Sequence, residues 1–331
     1  MEAFLSQLIN GLQRGSIYAL IALGYTMVYG VLRLINFAHG EVFMIGAFVG
    51  YFAALLFGLS LPAALLAAMA VCGLLAVAME AAVYRPLRYR PRLSMLIAAI
   101  GVSLLLSSLV QAIAFQFKDR AGNAVSFAGA NYTNFPKDQL IRSASYRLIP
   151  GSSPPAEAAE LRRAGREVYV TRIQLLDFGV SLVLMSALWL LVRRTTLGMA
   201  MRACANNKDA LSLMGVNVNR VISMTFLVGG ALAGAGGLLS ALTYPQIVAT
   251  MGLMPGLKAF IAAVLGGIGN VPGAMVGGLL LGLAEVGAIA ALPGAPVDYT
   301  PLADGVAFAL LILVLLVRPQ GIFGEEASEK V

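Results

Sequence analysis

The stretch "LKAFIAAVLGGIGNVPGAMVGGLLLGLAEVGAIAAL", residues 257–292, carries only two charged side chains, Lys258 and Glu285. A helix rises about 1.5 Å per residue and a bilayer core is about 30 Å thick, so roughly 20 apolar residues make one crossing. The stretch holds two passes only if the first is short and the chain turns at "GGIGNVPG". Gly266, Gly267, Gly269 and Pro272 are the residues such a turn uses. Lipid offers no hydrogen-bond partner, so irregular backbone at that depth must face protein or a water-filled cavity. Two passes, or one pass plus a re-entrant segment, both satisfy the pattern.

Composition extends this reading to the whole chain. Hydrophobic residues make up 59% of it and charged residues 12%, against about 25% charged in soluble domains. So few charges cannot cover the surface of a soluble domain of 331 residues. Further apolar segments fall at 16–34, 37–57, 61–83, 93–115, 175–192, 221–243 and 302–317. The expected architecture is all-α: one polytopic domain over 1–331 with eight or nine membrane passes. Glu2 and the lack of a basic n-region predict that the first span is retained rather than cleaved.

Arginine and lysine set the orientation. "YRPLRYRPR" holds Arg85, Arg88, Arg90 and Arg92, and 193–220 adds Arg193, Arg194, Arg202, Lys208 and Arg220. Both loops fall on one side, which is therefore read as cytoplasmic, with the N-terminus periplasmic and the C-terminus cytoplasmic. Residues 117–172 then form an external insertion with nine basic and five acidic residues. "SYRLI" and "EVYVTRI" alternate like two short strands, and 156–165 reads as a helix after Pro154 and Pro155. The net positive charge suits an acidic patch on a binding protein, and equally an anionic lipid surface.

Several chemistries lack their residues. No lysine follows a glycine, so no phosphate-binding G-x-x-x-x-G-K-[ST] loop exists. One histidine and two separated cysteines, Cys72 and Cys204, give no metal spacing. No G-x-S-x-G elbow occurs, so neither a catalytic residue nor a cofactor is expected in this chain. Ion coupling would use ionisable groups deep in the membrane. Glu41, Glu80, Asp177 and Asp304 lie near span ends, Lys258 begins the short pass and Glu285 is the deepest acid. They are expected to be interfacial or helix-end charges, and no inverted repeat stands out in the sequence. Glycines spaced by four, as at Gly46 and Gly50 or Gly230 and Gly234, let helices approach closely. Alternatively Gly230, Gly234, Gly266, Gly267 and Gly269 line a path that opens and closes.

The segment 193–220 is the coupling-loop candidate. Residues 197–214 are rich in helix formers, and Gly215 stands where a left-handed cap would end the helix. Leu197, Ala200, Met201, Cys204, Leu211 and Met214 form one apolar stripe, with Arg202, Asn206 and Asp209 away from it. Such a helix lies along the membrane face or docks into another protein.

Four stretches, "GSIYALIALGYTMVYGVLRLINFAHGEVFMIGAF", "LGMAMRACANNKDALSLMGVNVNRVISMTFLVGGALAGAGG", "GLKAFIAAVLGGIGNVPGAMVGG" and "FALLILVLLVRPQGIFG", occur in that order. In them the chain resembles the integral-membrane permeases of bacterial branched-chain amino acid ABC importers. The resemblance covers nearly everything except 117–172. It implies an inner-membrane subunit that pairs with a second related permease, two cytoplasmic ATPases carrying ATP and magnesium, and a periplasmic binding protein. It makes 197–215 the coupling helix, with Leu197, Gly198, Arg202, Ala203, Ala205, Asn206 and Gly215 as candidate ATPase contacts. The glutamate-alanine-alanine signature of many other ABC importers is missing. Related permeases serve urea or short amides, and an ion-driven amino acid carrier is the competing class. Asn36, His39 and Glu41 match the "NFAHGE" element, expected at the cytoplasmic end. Asn36 and His39 share a helix face and Glu41 turns away, either for capping and helix packing or as a gate or substrate contact.

Overall fold

The computed structural model describes residues 2–88, 90–118, 124–141, 145–147, 169–291 and 300–324. The main helices are α1 (Glu2–Leu32), α2 (His39–Leu55), α3 (Leu61–Met79), α4 (Arg92–Ala112), α5 (Arg172–Arg194), α6 (Thr196–Asn206), α7 (Lys208–Leu213), α8 (Val218–Thr243), α9 (Leu253–Gly266), α10 (Val271–Ala290) and α11 (Thr300–Val317). Six are long and apolar enough to cross a membrane, and α2, α9 and α11 are shorter apolar helices. With α6 and α7 set aside, nine apolar helices stand among the described residues. Peripheral α3, α4 and α5 turn large apolar side chains outward, among them Leu74, Leu104 and Val183. That is the surface a bilayer requires, and the chain is a multi-pass membrane protein.

The stretch 257–292 resolves into the rest of the short helix α9, a turn and the longer helix α10. Gly267 and Gly269 adopt φ values of 98° and 97°, a region that side chains disfavour. The Asn270 side chain then caps α10 by accepting from the Gly273 amide at 3.0 Å. Glycine is also needed across the turn, where a Cβ on Gly273 would meet the Gly266 carbonyl oxygen at 2.2 Å. Ile322 and Phe323 donate backbone amides to the Leu265 and Gly266 carbonyls, tying the segment after α11 to this turn.

Helices α1–α3 and α8–α10 form two halves of opposite sense. α1 packs along α10 as α8 packs along α3, while α2 lies against α3 and α8 as α9 lies against α10 and α1. The sequence showed no inverted repeat, because the repeat resides in which helices touch rather than in recurring residues. Each half has one shortened helix, α2 of 17 residues and α9 of 14 residues. At about 1.5 Å per residue α9 spans only about 21 Å. Their N-termini meet inside the bundle, where a Cβ on Gly40 would lie 2.4 Å from the Gly252 carbonyl oxygen.

The insertion opposite the arginine-rich end contains short strands: β1 (Ala114–Lys118), β2 (Ala124–Ala128), β3 (Thr133–Asn134), β4 (Ser145–Arg147), β5 (Tyr169–Thr171) and, from outside it, β6 (Gln246–Ile247). β4 and β5 pair antiparallel with Tyr146 opposite Val170, as their alternating sequences predict. β1 pairs with β2 and β3 with β6, neither of which the sequence foretold. The expected helix at 156–165 lies outside the described residues.

Candidate functional site

At the arginine-rich end, α5 turns sharply into α6. The Thr195 hydroxyl accepts from the Gly198 amide at 3.1 Å and donates to the Leu191 carbonyl at 2.6 Å. Gly198 is required there, since a Cβ would lie 2.2 Å from the Val192 carbonyl oxygen. Arg202 donates to that same Val192 carbonyl. Met201, Cys204 and Leu211 are buried, Leu197, Ala203 and Ala205 half-buried, and Arg202, Asn206 and Asp209 exposed.

Two expectations for this segment need correction. The helix expected over 197–214 is broken at Asn207, whose backbone is extended. Its side chain instead accepts from the Asp209 and Ala210 amides and starts α7. Met214 also leaves the apolar stripe and is 81% exposed, because that break swings the last turn outward. Gly215 does adopt the left-handed cap, with φ of 79°.

A recess of about 2040 Å³ opens beside these helices, with Arg33, Arg88, Arg202, Lys208, Asp209 and Phe323 in its wall. Partial burial lowers the Lys208 pKa, with Arg88 and Arg33 adding to the effect. Burial raises that of the Cys204 thiol. The base of α3 continues through a π-helical turn, Glu80–Tyr84, of the kind that often marks functional positions. The Glu80 carboxylate is fully buried. It accepts from Arg85 at 2.8 Å, Arg88 at 2.7 Å and Ser223 at 2.8 Å. Arg88 also donates to Asn219 at 2.6 Å, so one carboxylate fastens the loop after α3 to the start of α8.

Glu41, Glu80, Asp177, Lys258 and Glu285 are all buried within the protein, and Glu80 stands at the end of α3 as a helix-end charge beside the loop arginines. Glu41 and Lys258 stand near the starts of α2 and α9, which meet within the bundle. Lys258 pairs with Glu285 at 2.9 Å and Asp304 at 2.7 Å. Tyr18 donates to Glu285 at 3.0 Å, and Arg14 approaches the same carboxylate at 3.7 Å. Two cations and two carboxylates thereby join α1, α9, α10 and α11. Asp177 accepts from Gln13 at 2.8 Å and from Thr243, linking α5 to α1 and α8.

Asn36, His39 and Glu41 lie where the chain climbs back from the end of α1. Asn36 accepts from the Tyr84 hydroxyl at 2.6 Å. The His39 ring stands 4.7 Å from that of Tyr25, and a Cβ on Gly24 would meet its Nε2 at 2.3 Å. His39 therefore sits beside Gly24, about two turns above the end of α1, rather than at the cytoplasmic end where the sequence placed it. Glu41 points elsewhere, to Ser103 in the middle of α4, whose hydroxyl donates to it at 3.1 Å. Gly230 and Gly234 lie in the α3–α8 contact, against Cys72, Ala76 and Ala68, and Gly266 against Gly273. Gly267 and Gly269 shape the turn.

Nine apolar helices among the described residues, six of them in two halves whose shortened helices meet inside, with a basic amphipathic segment at one end, define the chain as a membrane permease. It belongs to the family described as "Branched-chain amino acid transport system / permease component", which matches residues 7–315. It is 42% identical to the high-affinity branched-chain amino acid transport system permease protein BraD of Pseudomonas aeruginosa, across 99% of this chain and 98% of that one. Likeness to LivH of Escherichia coli is 40% over the same shares. A probable LivH of Methanocaldococcus jannaschii is 25% identical across 93% of this chain and 89% of its own length. No solved structure matches.

Proposed function

We propose that this chain is the permease subunit of an ABC importer that carries branched-chain amino acids inward across the bacterial inner membrane. The supporting observation is the full-length likeness to BraD, which includes the α6–α7 segment. On this reading the end bearing Arg33, Arg88 and Arg202 is cytoplasmic, the N-terminus periplasmic and the C-terminus cytoplasmic. Two ATPases holding ATP and magnesium dock beside the basic recess. The exposed residues Arg202, Asn206 and Gly215 then face the ATPases, while buried Gly198 and half-buried Leu197, Ala203 and Ala205 set the angle of α6. A second related permease completes the pore, and a periplasmic binding protein meets the insertion end. No covalent step is required of this chain. Partners that bind the inward- and outward-open states unequally shift the pore between them.

Proteoliposomes test the reading. The chain assembled with its second permease, ATPases and binding protein should accumulate leucine only with ATP. Gradient-driven uptake by this chain alone would assign it to ion-driven carriers instead, and preferential uptake of urea or acetamide would change the substrate. A reporter fused after Gly215 that scores as external would overturn the orientation.

A further inference from the structure

The recess at the arginine-rich end holds more positive charge than its surroundings neutralise. Arg33, Arg88, Arg193, Arg202 and Lys208 line it, against the single carboxylate of Asp209. Arg33 follows α1, Arg88 lies in the loop after α3 and Lys208 opens α7, so three separate segments bring their cations to one place. Among the described residues neither Arg33 nor Lys208 has a carboxylate within ion-pair distance or a side-chain hydrogen bond. Arg88 pairs with Glu80, but Arg85 shares that carboxylate, which leaves one positive charge over. Partial burial, and after it the charges of Arg88 and Arg33, lower the Lys208 pKa, so the cations are near enough to repel.

Arg33 also goes against its backbone's preference. Its φ is 55°, the one positive value at a non-glycine residue among the described residues, and glycine would take that conformation freely. The strain falls where the arginine lines the recess. Two further features set the level of the site. Trp189 lines it near the C-terminal end of α5, with the Arg193 guanidinium 5.1 Å from its ring centroid. Tryptophan and arginine at a helix end mark the membrane–water boundary. Val183 and Leu190 on the outer side of α5 are exposed, so lipid reaches this helix, and Val192 and Ile268 give the recess an apolar flank. Cations beside an apolar flank at headgroup depth suit a phospholipid. A free nucleotide fits less well, since the chain has no glycine-rich phosphate loop. Basic pockets between helices on the cytoplasmic side take such headgroups.

We propose that the recess binds the phosphate headgroup of an anionic phospholipid from the cytoplasmic leaflet, with Arg33, Arg88 and Lys208 around the phosphate and Trp189 and Val192 beside the glycerol and acyl chains. The lipid lies between the end of α1 and the α6–α7 segment, and the exposed rim at Arg202 and Asn206 remains with the ATPases. The inference rests on the orientation in the reading above, which makes this end cytoplasmic.

The test uses the complete importer purified in detergent, with cardiolipin, phosphatidylcholine and inorganic phosphate added in turn and bound lipid counted by native mass spectrometry. Wild type should bind cardiolipin about tenfold or more tightly than phosphatidylcholine, the scale of one charge-assisted contact, and free phosphate should not displace it. Lys208→Gln should weaken cardiolipin binding by a similar factor. Arg33→Gly should do the same while the lipid-free thermal midpoint holds or rises, because glycine relieves the positive φ. An arginine with a merely structural role would instead lower the midpoint and leave lipid binding alone. Should Arg33→Gly fail to assemble, Lys208→Gln decides by itself. Equal binding of the two lipids, or displacement by free phosphate at equal concentration, would overturn the proposal. So would variants that keep the lipid and lose their ATPases, which would make the recess a protein-docking surface. An external score for the reporter after Gly215 would overturn the orientation, and with it the leaflet, while the lipid counts still report on the site.

Discussion

The two inverted halves treat their broken helices differently. α9 is held by charge: Lys258 is bracketed by Glu285 and Asp304, and α9 cannot slide without separating buried ions. α2 is held by shape, with Gly46 packed on the Gly234 backbone and Gly40 on Gly252, and it carries a carboxylate with one oxygen left unpartnered. The same topology thus yields one anchored element and one with unspent electrostatic capacity. A buried ion pair is no reliable source of stability, yet breaking one is expensive, which makes α9 the rigid partner.

The strongest challenge to that contrast is Lys258→Met. It leaves Asp304 without its cation and Glu285 with Arg14 alone at 3.7 Å, and should destabilise the detergent-purified complex by about 3–5 kcal/mol, measured as a large fall in thermal midpoint. Lys258→Met with Glu285→Leu and Asp304→Leu should recover much of the loss; no recovery would show that α9 is not anchored by charge. Next in size is Gly46→Ala on the shape-held side. Its Cβ would lie 2.5 Å from the Gly234 backbone, and over-packing of this kind costs about 1–3 kcal/mol. A neutral midpoint would refute close packing as the restraint on α2. Asn207→Ala should cost about 0.5–2 kcal/mol by removing the cap of α7. The loss should be local, seen as faster amide exchange over 208–213 with an unchanged global midpoint. Smallest is Gly215→Ala, about 1 kcal/mol for a side chain at φ of 79°. Because that position is open and exposed, its main expected effect is ATP turnover poorly matched to uptake.

Much of the bundle was legible because its signals are local. Runs of about 20 apolar residues and the glycines around Gly267 announce helices and a turn without reference to anything distant. The cap at Gly215 and the pairing of β4 with β5 belong to the same class. The break at Asn207 was also written locally, since "NNKDA" offers an asparagine cap to a new helix. Leucine and methionine on both sides made an uninterrupted helix look equally good. The site was less legible. Glu41, Lys258 and Glu285 could be seen as charges among apolar residues, while the identity of their partners could not.

By itself the sequence determined a polytopic helical membrane protein with eight or nine apolar segments, the turn between α9 and α10 and the amphipathic character of the segment after α5. Each of these follows from hydropathy or backbone preference over a few turns of chain. Only the tertiary structure decided that Glu41 and His39 are buried, that the two halves pack through matching helix contacts, and which buried acid has a cation. Those properties depend on where α2 and α9 begin, and that is set by glycine backbones meeting across segments far apart in the chain.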